Sequence, residues 1–470
     1  MKSDRQGLIA RAGLASTCAA LAIGMACSRT DHPIERFASG HDAGGTGASP
    51  LPGAAGSSGS AAMTGGKPGA GGSANGGTGS SSSEAGSVGE AGSGPQVLEP
   101  PELDCGEAPV SSGAFSRAAM RASVADCATY HYCRFEGATR WLSETLTGYG
   151  EEPSVAALKT AQLAYTQAFS IWSVLEHFQF GPLSSNVASA GKDEYQGQGV
   201  RERIYAWPLS VRCRVEDQVV NQKYQTDFPN VLVSGRGLFA LEYLLFYPGS
   251  DTSCAASSVT AQKWTTFSQD DLAARKLAYA QGLASDVHAW ILDLQQRWAE
   301  GGGNYRPKLV DATGYPSEQE AMKVLGWALL YTEHEVKDLK LGVPAGVRAG
   351  STGELPEAPY ANLGTEAVRA NLRGFRALYQ GCGSDGAGLG FDDWLIEAGH
   401  PELAQDIVTA YENAQAAADT FPAWDQATPG DFQGLYATVK VLTDHLKNDL
   451  FGSGSPIGLA LPATISGDTD

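Results

Sequence analysis

From Gly235 to Gly249 the chain reads Gly-Arg-Gly-Leu-Phe-Ala-Leu-Glu-Tyr-Leu-Leu-Phe-Tyr-Pro-Gly, and one ionisable group, Glu242, stands inside its apolar part. The run is too short to span a membrane. It has no polar face, so it predicts a helix buried on all sides. A carboxylate there is costly unless it is paired, metal-bound or protonated. Glu242 is therefore the first candidate for a ligand or metal carboxylate, and the competing reading pairs it with Arg203 or Arg236. Phe239 lies three residues earlier, on the same helical face.

Other chemistry-bearing residues are Glu176 and His177, which close a second helix. Neighbouring side chains on a helix diverge by about 100°, so these two do not share one ion. His334 and Asp338 have the i, i+4 spacing of a metal pair. Lys337 and Lys340 lie among them, and the stretch from Glu333 to Lys340 is read as a solvated charged face. Glu397-Ala-Gly-His400 has the Glu-x-x-His spacing of di-iron bundles, which need two such pairs; a single one before a proline is read as a turn. No Gly-x-Ser-x-Gly elbow or His-Glu-x-x-His zinc helix occurs. Trp207 and Pro208 are candidates to wall a pocket between bundles.

The elements that must position these groups are helical. In 154–179, Leu158, Ala161, Tyr165, Ala168, Trp172 and Leu175 form one apolar stripe, with Ser154 as its start signal. Ser317-Glu-Gln-Glu320 has capping-box spacing and opens a helix to about residue 341. Further helices are predicted over about 115–147 and 258–299, from Thr365, from Pro401, and over about 431–450. Strand-like alternation is scarce, so the fold class is all-α, two packed helical bundles. The expected boundaries are a first bundle over 96–300, a connector over 301–316 and a second bundle over 317–470.

Several of these segments together resemble the imelysin family. Gly237, Phe239 and Glu242 fall on its Gly-x-His-x-x-Glu motif, with Phe239 in the place of the histidine. Trp172–Pro182, the Ile204-Tyr-Ala-Trp-Pro208 element, the Lys337–Gly346 turn, Gly374–Gly381 and the closing Gly467–Asp470 match in the same order. The resemblance implies an all-helical envelope protein connected with iron, and Glu176 matches an acidic position facing the same cleft as Glu242. The family name implies a metallopeptidase. That activity requires metal ligands and a general base, and Phe239 can neither ligate nor carry a proton.

The N-terminus reads as an export signal over residues 1–27. Lys2, Arg5 and Arg11 precede an apolar stretch, which ends at a lipoprotein-like Cys27. Residues 28–95 form a tether that from residue 40 is rich in glycine, serine and alanine and has no aromatic residue, a composition that cannot bury a core. The expected location is the cell envelope, periplasm or outer membrane, with a lipid anchor. Six cysteines remain beyond the signal: Cys105, Cys127, Cys133, Cys213, Cys254 and Cys382. None forms a Cys-x-x-Cys pair, so three disulfides are expected in an oxidising compartment. The formal charge of −19 disfavours nucleic acid as a partner.

The resulting expectation is an exported, non-catalytic binding module linked to iron or another small ligand, with envelope uptake proteins as its partners. Glu242, Glu176 and His177 are its candidate ligands, and Phe239, Trp207 and Pro208 shape its pocket. Oxygen donors suit ferric iron or calcium. The alternatives are a metallopeptidase and a scaffold that binds no metal.

Overall fold

In a computed structural model, residues 96–185, 192–348, 356–383, 386–463 and 465 are described. The export signal, Cys27, the tether and Gly467–Asp470 lie outside them. The helices in chain order are α1 (Arg117–Glu151), α2 (Val155–Leu175), α3 (Val200–Ile204), α4 (Arg212–Asn221), α5 (Tyr224–Asp227), α6 (Gly237–Phe246) and α7 (Val259–Trp264). They continue with α8 (Gln269–Trp298), α9 (Tyr305–Val310), α10 (Glu318–Leu329), α11 (Gly364–Tyr379), α12 (Phe391–Glu397), α13 (Pro401–Asp419) and α14 (Pro429–Asp444). No strand occurs among the described residues.

The start signals act as expected. The Ser154 side chain accepts from the Ala157 N–H and Ser317 from the Glu320 N–H, each satisfying an otherwise open donor of the first turn. Two predicted helices are interrupted. The 258–299 helix is two, because Trp264 ends the first and Ser268 caps the second. The 317–341 helix is regular only to Leu329 and then widens into π-helical turns over Thr332–Gly342; a second π-helical stretch, His445–Leu450, follows α14. Such turns are rare and concentrate at functional sites.

α1 packs along α2 and α8, with α6 laid between α2 and α8. α11, α13, α14 and the Thr332–Gly342 segment form the second set, and α11 joins the two sets by packing on α2. The buried apolar residues form one continuous core through both. Within the expected connector, α9 is a short helix packed on α1 and α8.

Gly374 makes the α11–α2 contact possible. A Cβ there would lie 2.4 Å from the Val174 carbonyl oxygen. Gly374→Ala is therefore expected to cost about 1–3 kcal/mol, read as a lower urea midpoint with an unchanged slope. An unchanged midpoint would mean that the two helices part freely.

Among the described residues three disulfides form: Cys105–Cys133, Cys127–Cys382 and Cys213–Cys254. The second ties the first helix to the loop after α11.

Candidate functional site

Glu242 lies on α6 and is fully buried. Gly237, the first residue of that helix, has φ +72°, and a Cβ there would meet the Ile204 carbonyl oxygen at 2.3 Å. Only glycine fits both conditions. It lets α6 lie directly on the Ile204–Pro208 segment.

Neither expected arginine reaches Glu242. Arg236 binds Asp286 instead, and Arg203 donates to the Pro229 carbonyl and stacks over Trp290. Glu242 Oε1 accepts from the backbone N–H groups of Tyr360 and Ala361, at 2.7 and 2.8 Å. Its second oxygen is buried with no hydrogen-bond partner among the described residues. Burial pushes the Glu242 carboxyl up to about 8; the two backbone donors oppose the rise and Glu357 adds to it. Phe239 is buried too, its ring 6.3 Å from that of Tyr360 in a T-shaped arrangement.

Glu176 caps the C-terminal end of α2 and is also fully buried. Arg201 approaches its Oε1 at 3.6 Å, while Lys340 and the Asn371 amide each reach its Oε2 at 3.1 Å. Lys340 also donates to Asn371 Oδ1 at 2.7 Å and pairs with Glu357 at 2.8 Å. Its ammonium lies 5.6 Å from the Trp207 ring and 5.4 Å from that of Tyr331, a cation–π arrangement. Trp207 is buried and Pro208 half-buried, joined by a cis peptide. Burial raises the Glu357 carboxyl to about 7, with Lys340 opposing the rise. Tyr165 and Tyr205 face the same carboxyls, and burial holds their hydroxyls well above the usual tyrosine range, protonated and able to donate.

His177 does not join this set as a ligand. Its Nε2 is 2.9 Å from the Thr332 hydroxyl, and burial beside Lys340 lowers it to about 3, so it is neutral. Among the described residues, the one group of three metal-ligating side chains that converges lies elsewhere, at Cys127, His131 and Cys382. Glu242, Glu176 and His177 are thus near one polar centre without forming a chelating set.

The stretch expected to be a solvated face is instead buried. Glu333, Lys337 and Asp338 are fully enclosed, and Glu335 and Lys340 nearly so. Lys337 binds Glu333 at 2.9 Å and Asp338 at 3.1 Å, Lys447 reaches Glu333 at 2.7 Å, and Arg348 pairs with Asp338. His334 faces Glu335. Glu397 and His400 are exposed at a turn, as expected.

Sequence reasoning named Glu242, Glu176 and Trp207 but passed over Lys340, Glu357, Arg201, Asn371, Tyr205 and Tyr165. A signal for two of these existed: Tyr205 and Lys340 lie within segments already singled out, Ile204–Pro208 and Lys337–Gly346.

The imelysin family model, peptidase family M75, matches residues 128–450. The chain belongs to the imelysin family. It is similar to "Iron-regulated protein A" of Synechococcus elongatus, 24% identical over 295 residues, which cover 61% of this chain and 70% of that protein. Among solved structures it is similar to an imelysin-like protein from Psychrobacter arcticum, with a TM-score of 0.55 and 15% identity over 75% of this chain and all of the other. A second is a putative iron-regulated protein A precursor from Parabacteroides distasonis, with a TM-score of 0.53 and 15% identity over 72% and 96% of the two chains. At these identities the two structures speak for the shared all-α fold. In this imelysin the motif glycine seats α6, the motif glutamate holds the Tyr360–Ala361 backbone, and the histidine position is an aromatic contact.

Proposed function

We propose that this imelysin is an exported, non-catalytic binding module, anchored through Cys27, that takes a small cationic organic ligand at its buried carboxyl cluster in an iron-linked envelope role. The observation that carries this reading is the second oxygen of Glu242, buried without a hydrogen-bond partner among the described residues. Glu357 beside it is likewise an acid kept from water. Among the described residues, Glu176, Glu335 and Glu357 meet the cations Arg201 and Lys340 and the imidazole of His334, while Glu242 meets a further acid, Glu357. That excess of carboxyls is balanced by protons near neutral pH, and a cation entering the cluster would displace them. Binding should therefore strengthen as pH rises from about 6 to about 8.

A bare metal ion fits less well. Glu176 is already engaged by Lys340, Arg201 and Asn371, and among the described residues Glu242 belongs to no converging group of three metal-ligating side chains. Peptidase chemistry loses its ligand position to Phe239. The iron link rests on the names of the relatives.

The test is native mass spectrometry of the chain purified from its own envelope, with elemental analysis after equilibration with iron, zinc and calcium. An organic adduct present in the wild type and lost in Glu242→Gln supports the reading. Stoichiometric metal in place of an adduct would overturn the organic ligand. Chelator-sensitive cleavage of an unfolded protein would overturn the non-catalytic role.

A further inference from the structure

Away from the central cluster, Cys127, His131 and Cys382 bring their ligand atoms within 4.8 Å of one another, and all three residues are buried. Cys127 and His131 stand four residues apart on α1, so one helix face presents both. Cys382 comes from the glycine-rich loop after α11 and is bonded to Cys127. His131 Nε2 lies 3.9 Å from Cys382 Sγ. Its other ring nitrogen, Nδ1, is buried with no hydrogen-bond partner among the described residues.

The His131 ring packs against Tyr130 and Phe178, at centroid distances of 5.2 and 5.6 Å. An aromatic hydrocarbon would fill that space without burying two ring nitrogens, one of them unsatisfied. What an imidazole adds is a ligand atom. In a tetrahedral zinc site, with Zn–S of about 2.3 Å and Zn–N of about 2.0–2.1 Å, a sulfur and a nitrogen stand about 3.5–3.6 Å apart and two sulfurs about 3.8 Å apart. The imidazole already stands near that distance from Cys382. The two sulfurs must part, and the glycine-rich loop carries one of them.

We propose that reduction of the Cys127–Cys382 disulfide by a dithiol creates a Cys2His site for a zinc-class divalent cation, with His131 as its nitrogen ligand. The dithiol supplies two electrons and two protons, the S–S bond becomes two thiols, and the reductant closes into its own disulfide. Cys382 is the sulfur within easier reach, at 8% exposed against 1% for Cys127. Metal binding then displaces both thiol protons. Two thiolates, a neutral imidazole and a divalent cation sum to zero charge, which suits a buried place. The fourth coordination position stays open to water. While oxidised, the same residues are a covalent tie between α1 and the α11 loop and cannot hold metal.

The test uses cobalt(II) on the whole chain, before and after reduction with a phosphine, which takes oxygen from water as the disulfides accept hydrogen. The reduced chain should bind one equivalent, with the visible bands of tetrahedral cobalt and a sulfur-to-cobalt charge-transfer band, and zinc should displace it. The oxidised chain should show neither band. Cys127→Ser with Cys382→Ser should abolish both bands. His131→Ala should weaken binding by roughly tenfold or more. Serine replacements at Cys105 and Cys133, or at Cys213 and Cys254, should leave the bands in place. Three results would overturn the proposal: no tetrahedral bands, bands that survive loss of Cys127 and Cys382, or a reduced chain whose circular dichroism has lost its helices.

Discussion

Replacing Lys340 by methionine is expected to destabilise this imelysin by about 3–5 kcal/mol, the usual cost of breaking a buried ion pair by removing one partner. Lys340 is the cation shared by Glu176 and Glu357, all three are enclosed, and Asn371 completes its hydrogen bonding. Methionine keeps the length of the side chain but loses the ammonium over the Trp207 and Tyr331 rings and leaves two carboxyls without it in low dielectric. The loss would appear as a lower urea midpoint near pH 8. It should shrink toward about pH 5, where Glu357 is already protonated and no longer needs the ammonium. Adding Glu357→Gln to the Lys340 variant should recover part of the stability, because one uncompensated charge is gone. A loss below about 0.5 kcal/mol, the range of an exposed pair, would mean that the ammonium reaches water and that the network is not closed.

Glu242→Gln should do the opposite at high pH. The carboxyl moves from 4.5 to about 8 on folding, chiefly through burial. Between those values the native state holds a proton that the unfolded chain has released. Stability therefore falls as pH rises, by about 1.4 kcal/mol per pH unit. Below the lower value both states are protonated and the cost vanishes; above the upper one it reaches its full size, on the order of 4–5 kcal/mol. A glutamine oxygen can still accept from Tyr360 and Ala361 without carrying charge. The variant should match the wild type near pH 4 and exceed it by several kcal/mol near pH 9, measured as paired urea midpoints. An acid that weakens its own fold yet sits at the motif position is what a binding role would retain. A difference that does not change with pH would show that Glu242 is not a buried acid, and the proposed cation site would lose its basis.

Much of the frame was legible in residues alone. The stripe from Leu158 to Leu175 and the caps at Ser154 and Ser317 depend on local rules, side-chain spacing on a helix and unsatisfied N–H groups at its start. The structure follows them. The isolation of Glu242 was legible too, because an acid inside an apolar run is unusual wherever the run packs.

What tertiary structure decided is which charges meet. Glu333, Lys337, Asp338 and Lys340 have the composition of a wet helix face. Lys447 closes on Glu333, Arg348 on Asp338, and Glu176, 164 residues away, on Lys340, while Lys337 is held between Glu333 and Asp338. No short window of sequence joins Lys447 to Glu333 or Glu176 to Lys340. The π-helical winding of Thr332–Gly342 was hidden for a related reason. A segment enclosed on nearly every side has no solvent face from which a helical period could be read. The cysteines follow the same division. Their even number and the absence of a Cys-x-x-Cys pair pointed to disulfides, whereas the Cys127–Cys382 bond, and His131 beside it, required α1 and the α11 loop to be brought together. Local propensity and periodicity determined that this chain is helical and where its buried acid lies; the pairing of distant charges, which depends on desolvation that only a packed interior creates, determined what surrounds it.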